Sequence, residues 1–93
     1  MIKSFCCKET QKLFNRQLSK KMPSSIQKNA IKKLWILHAA TQINDLRVPP
    51  SNHLEALKGN RKGQHSIRIN QQWRICFNWH KGNAFEVEIV NYH

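Results

Sequence analysis

Ninety-three residues carrying 16 Lys and Arg against 5 Asp and Glu, a net charge of +11, make one small basic domain spanning residues 1–93 and leave no room for a second. A surface so strongly of one sign favours a polyanion or an acidic protein partner. No apolar run is long enough for a signal-peptide core or a membrane span, so a cytoplasmic chain that does not engage a membrane is expected.

Residues 1–6 alternate Ile2, Ser4 and Cys6 against Lys3 and Phe5, which reads as a short edge strand. From Lys8, residues Leu13, Phe14 and Leu18 recur at helical spacing with Thr10 and Gln17 on the same side, predicting a short amphipathic helix. Residues 19–23 end in Pro23 and break it. Ser24 or Ser25 is expected to cap a longer helix running to about Ile43, with Ile26, Ala30, Leu34 and Leu37 inward and Lys28 and Lys32 outward. Lys33 falls inside the apolar stripe and Ile36 outside it. Lysine can snorkel, and an outward isoleucine is either scatter or part of a partner surface. Residues 44–64 hold Pro49, Pro50, Gly59 and Gly63, with only residues 54–57 fit for an extended piece. So long a connection in a small domain is functional or disordered. His53, Glu55, Lys58, Arg61 and Lys62 within it favour function.

The C-terminal third alternates with period two. Ile67, Ile69, Trp73, Ile75, Phe77 and Trp79 lie on one face, and Phe85, Val87 and Ile89 continue it, so three strands form an antiparallel meander. Facing residues share a sheet face, so the register follows from matching the apolar sets. A three-residue loop at 70–72 puts Ile67 opposite Ile75 and Arg68 opposite Arg74. A three-residue loop at 81–83, with Gly82 free to take positive φ, puts Phe77 opposite Val87 and Ile75 opposite Ile89. The open face then gathers Arg68, Arg74 and Tyr92. Two facing arginines repel unless an anion lies between them, which suggests a phosphate site; the other reading is that both are simply solvated.

Cys6, Cys7 and Cys76 fit neither a disulfide framework nor a metal knuckle and point to a reducing compartment. The five histidines, at 38, 53, 65, 80 and 93, show no ligand spacing. No metal and no cofactor are expected.

The opening IKSF, the block LEALKGNRKGQHSIRINQQWRICFNW and the ending VEIVNYH together resemble the HigB toxins of bacterial HigB/HigA toxin-antitoxin modules, a branch of the RelE/ParE superfamily. The likeness spans nearly the whole chain, and its core, LxGxRxGxxSIRxNxQWR, is specific. It implies a small α+β, RelE-like fold, with an N-terminal strand and two helices packed on one face of a C-terminal antiparallel meander, the other face concave and basic. It implies a ribosome-dependent mRNA endonuclease that cuts codons in the decoding site of the 70S ribosome. The implied partner is a HigA-type antitoxin with a helix-turn-helix, through which alone the chain would reach operator DNA. By motif, Lys58, Arg74, Tyr92 and His93 match the catalytic set, with Arg61, Lys62, Arg68, Glu55 and Asn91 beside them as RNA contacts. Glu55 stands where some relatives carry histidine, and Asn91 where they commonly carry aspartate. Attack by the RNA's own 2′-hydroxyl needs a base, an acid and a cation for the oxyanion. Lys58 suits the base, Arg74 the oxyanion, and Tyr92 or His93 the acid. A gyrase-poisoning toxin of the ParE kind and an RNA-binding relative without cleavage are the competing readings.

Overall fold

The computed structural model describes residues 1–92, so the expectation for His93 lies outside the described residues. Helix α1 (Lys8–Phe14) and helix α2 (Ser24–Ala39) precede four strands, β1 (Glu55–Ala56), β2 (Gln64–Arg68), β3 (Trp73–His80) and β4 (Asn83–Asn91). The strands form one antiparallel sheet in the order β1-β2-β3-β4. Both helices cover one face. Leu13 of α1 and Ile26, Ala30, Leu34 and Leu37 of α2 meet Ile67, Ile75, Phe77, Val87 and Ile89 in a single core. Each such large side chain contributes about 1.5–3 kcal/mol by leaving water.

The N-terminal strand is present only as two isolated parallel bridges to β4, Ile2 with Ala84 and Phe5 with Val87. A continuous ladder is interrupted because Glu86 takes φ 52°, and its N–H is taken instead by the Ser4 hydroxyl at 2.8 Å. Farther along β4 the chain has already turned into α1, and there the Thr10 hydroxyl accepts the buried Ile89 N–H at 3.1 Å. A side chain thus replaces the missing strand partner.

Helix α1 closes as a Schellman motif, with Arg16 N–H on Leu13 O at 2.9 Å and Gln17 N–H on Lys12 O at 2.8 Å. The left-handed position falls on Arg16, at φ 62°. Helix α2 departs from expectation at both ends. Pro23 occupies the N-cap position, and Ser24 and Ser25 lie within the first turn without capping it. The helix stops at Ala39, short of Ile43, because the Asp45 carboxylate accepts the N–H groups of Thr41 (3.0 Å) and Gln42 (3.1 Å). Those bonds start a separate 3-10 turn, Ile43–Arg47. Lys33 is 7% exposed, with its ammonium on Asn52 Oδ1 at 2.6 Å and Ser51 Oγ at 3.3 Å. Ile36 packs partly against the core, so it is not an exposed outlier.

The first hairpin has the expected register, Ile67 facing Ile75 and Arg68 facing Arg74. The second keeps Ile75 with Ile89 and Arg74 with Val90, but near its turn it pairs Trp79 with Ala84 and His80 with Asn83. The loop is therefore the two residues Lys81 and Gly82, at φ 49° and 80°, whose double positive φ matches the twist of a hairpin better than a three-residue loop. A bulge between Cys76 and Asn78 absorbs the one-residue shift. In consequence Ala84 is buried in place of Phe85, which stays partly exposed opposite Asn78.

Candidate functional site

The sheet face turned away from the helices carries Ser66 from β2, Arg74 and Cys76 from β3, and Glu88 from β4, with Glu55 of β1 opposite Ser66. Arg74 sits at the middle of this face and is 9% exposed. Its Nε donates to Ser66 Oγ at 2.8 Å and its Nη2 to the His53 carbonyl at 2.6 Å. Its Nη1 faces the Glu55 carboxylate at 3.7 Å. His53 can offer that carbonyl because it adopts the left-handed conformation, φ 43° and ψ 57°.

This geometry corrects the argument from facing arginines. The register pairs Arg68 with Arg74 as expected, yet the two guanidinium groups part. Arg74 is held by Ser66 and His53, whereas Arg68 Nε donates to Asn70 O at 3.0 Å. No anion between them is required. Arg74 is also not an open-face side chain, since two neutral acceptors fix one edge of its fork.

Tyr92, 36% exposed, places its hydroxyl 3.8 Å from the buried Cys76 Sγ. Burial, and then the Cys76 contact, push the phenol above its ordinary value, and burial does the same to the thiol. Both stay protonated near neutral pH, so the phenol is a donor and the thiol an unreactive one. On the far side, Arg61 pairs with Glu88 at 3.3 Å and donates to Gln64 Oε1 at 3.0 Å. Lys58 and Lys62 are exposed at the two ends of the 3-10 turn Gly59–Arg61. Asn91 pairs with Trp73, on the parity of the core residues, and is not brought into the cluster around Arg74.

The structure thus brings together Glu55, Arg74 and Tyr92 with Arg61 nearby, and leaves Lys58 and Lys62 at the rim. Ser66, Cys76, Glu88 and the His53 carbonyl are the members that sequence reading missed. Ser66 and Cys76 had a signal, since they are the small residues on the polar parity next to an arginine. The His53 carbonyl had none, because backbone conformation is not written in a side chain.

Four antiparallel strands with two helices on one face are a fold this chain shares with solved structures. The fold overlays on a YafQ mutant from E. coli with a TM-score of 0.65, covering 98% of this chain and 91% of that one at 13% identity. It also overlays on a chain of the heterotetrameric YoeB-YefM toxin-antitoxin complex from Staphylococcus aureus, with a TM-score of 0.59 over 100% and 95% of the two chains at 20% identity. At the sequence level, residues 3–93 match the model of the HigB-like toxins, described as the RelE-like toxin of type II toxin-antitoxin system HigB, and the chain belongs to that family. It is 51% identical to "Toxin HigB-1" of Vibrio cholerae over 63 residues, 68% of this chain and just under two thirds, 66%, of that protein. It is 32% identical to "Endoribonuclease HigB" of Proteus vulgaris over 93 residues, 100% of both chains.

Proposed function

We propose that this toxin is a ribosome-dependent mRNA endonuclease, cutting codons in the decoding site and neutralised by a HigA-type antitoxin. The observation that carries the reading is the state of Arg74. Ser66 and His53 hold one edge of its guanidinium rigid, and among the described residues the remaining nitrogen, Nη1, meets only an exposed carboxylate, Glu55 at 3.7 Å and 59% exposed. An exposed ion pair of that length is worth little. A phosphate displaces it at small cost and finds the fork already oriented, which is the condition for strong oxyanion stabilisation.

In the proposed reaction the RNA 2′-hydroxyl loses its proton to Lys58, and its oxygen bonds to the adjacent phosphorus. The bond to the 5′-oxygen breaks, leaving a 2′,3′-cyclic phosphate, and the departing oxygen takes a proton from Tyr92 or His93. Arg74 holds the charge that builds on the phosphoryl oxygens. Arg61 and Lys62 contact the RNA around the cut, Glu55 gives way to it, and Arg68 contacts the strand away from the cut. Lys58 and Tyr92 are both exposed, so the set is loosely placed without substrate. Alignment by the decoding site supplies what is missing, a term of about 7–11 kcal/mol in well-oriented reactions.

The neutralisation of both central arginines by acids, Arg74 by Glu55 and Arg61 by Glu88, favours a second reading, a toxin that binds without cutting. Primer-extension mapping of a defined mRNA with and without translating ribosomes separates the two. Cuts at decoding-site codons only with ribosomes support the nuclease; growth arrest in cells without cuts supports the second reading and rejects the first.

A further inference from the structure

Between α2 and the end of the β2–β3 hairpin lies a cavity of about 370 Å³, lined by Asn29, Lys32, Lys33, Ser51, His53 and Arg68 among others. Three basic side chains, Lys32, Lys33 and Arg68, enter its wall and, among the described residues, no carboxylate does. The chain has 5 acids, and each is engaged elsewhere: Glu9 with Lys12, Asp45 with the N–H groups of Thr41 and Gln42, Glu55 with Arg74, Glu86 with Asn78, and Glu88 with Arg61.

Lys33 makes this a built site. Its side chain is buried, and its ammonium is positioned by the Oδ1 of Asn52. Asn52 is itself fully buried and oriented, its Nδ2 donating to Leu46 O at 3.1 Å and Val48 O at 3.2 Å. Those two bonds leave Oδ1 to face the lysine. The acceptors at the ammonium are neutral, so a buried positive charge stands without a counter-charge, an arrangement that costs stability unless an anion visits. Burial, and then Lys32, hold the pKa of the Lys33 ammonium below its ordinary value.

The cavity and the proposed active face share His53, which lines the one and whose carbonyl holds Arg74 of the other at 2.6 Å. We infer that this cavity binds a phosphate of single-stranded RNA, farther along the strand from the phosphate held by Arg74. The inference rests on the nuclease reading above for its choice of polyanion. Three cations converging on one small cavity suit a phosphate, and the amides of Asn29 and Asn70 at its wall can bond the neighbouring sugar or base. An acidic peptide would meet the same cations, and the outcomes below separate it from RNA.

The test uses a six-nucleotide 2′-O-methyl oligoribonucleotide, which cannot be cleaved, with binding followed by fluorescence anisotropy over a series of KCl concentrations. The variants are Lys33→Met and the double variant Lys32→Gln/Arg68→Gln. Lys32 is exposed and Arg68 half-exposed, so the double variant carries the test if Lys33→Met fails to fold. Expected is an affinity loss of about tenfold and a salt slope shallower by about 0.7, the value for one phosphate contact to a single strand. Wild-type affinity and slope in the double variant overturn the inference, as does the absence of binding by the wild-type chain at low salt. Intact oligonucleotide binding with weakened antitoxin binding overturns it too and gives the cavity to a protein partner. If Arg74→Ala abolishes ribosomal cleavage while the double variant binds normally, the cavity assignment fails alone. If the cavity binds the oligonucleotide but the wild-type chain cuts nothing on ribosomes, the nuclease reading fails alone.

Discussion

Arg74 is a strand arginine whose side chain is held in one place. A solvated arginine would sample many rotamers; this one has Nε and Nη2 fixed by Ser66 and His53, so under the proposed function little freedom would be lost on binding a phosphate. Arg74→Lys keeps the charge but not the planar fork, and is expected to reduce ribosome-dependent cleavage by about a hundredfold, on the order of removing one oxyanion donor. Arg74→Ala is expected to abolish cleavage and, because the side chain is buried against Ser66 Oγ, also to lower the melting temperature. Wild-type cleavage by the lysine variant would remove Arg74 from its role. Glu55→Gln tests the same pair from the other side. Freed of the carboxylate at 3.7 Å, Nη1 should take RNA more readily, and single-turnover cleavage should rise a few-fold; a fall would instead give Glu55 a part in proton transfer. The sequence made Arg74 legible through the QWR motif and the register. It did not make legible the burial of Arg74, because that depends on His53 turning its carbonyl inward with positive φ.

At the scale of elements, alternation and helical spacing were enough to find both helices and the meander, and the even register near Ile75 followed from matching apolar residues. What escaped were the ends. Asp45 drew Thr41 and Gln42 out of α2, and the Lys81 and Gly82 turn moved Ala84 into the core, compensated by the bulge. Each is a local backbone preference that side-chain periodicity does not record. Gly82→Ala puts a Cβ 3.0 Å from the Thr41 carbonyl at φ +80°, and is expected to cost about 1–2 kcal/mol of unfolding free energy, read by denaturant titration. Asp45 also predicts an acid limb. The N–H groups of Thr41 and Gln42 hold its carboxyl below the ordinary 3.8, so the folded state binds its proton less readily than the unfolded one. Its contribution is complete above pH 3.8 and disappears as pH falls through the lower folded value. Glu9 acts in the same direction below its ordinary 4.5, held down chiefly by the Ser19 hydroxyl. Thermal melts should therefore weaken below about pH 4, and Asp45→Asn should melt lower at neutral pH but fall less steeply on acidification.

For the molecule as a whole, a charge of +11 crowds one small body, and the core must hold it together against its own repulsion. Leu34, fully buried between helix and sheet, is expected to cost about 2–5 kcal/mol when cut to alanine, with the loss partly recovered on adding salt; equilibrium unfolding at two ionic strengths measures both effects. The bonds joining Glu86 to Ser4 and Ile89 to Thr10 span 82 and 79 positions of the chain. Contacts of such reach make folding slow, because the loop must close before either bond forms. They also set an order of events during synthesis. Residues 1–10 have no sheet to join until residues 84–89 have been made, so the edge of the sheet beside β4 cannot be closed before them. A cell making this protein meets a finished toxin only after translation has passed those last strand residues, which leaves an interval in which an antitoxin can already be waiting.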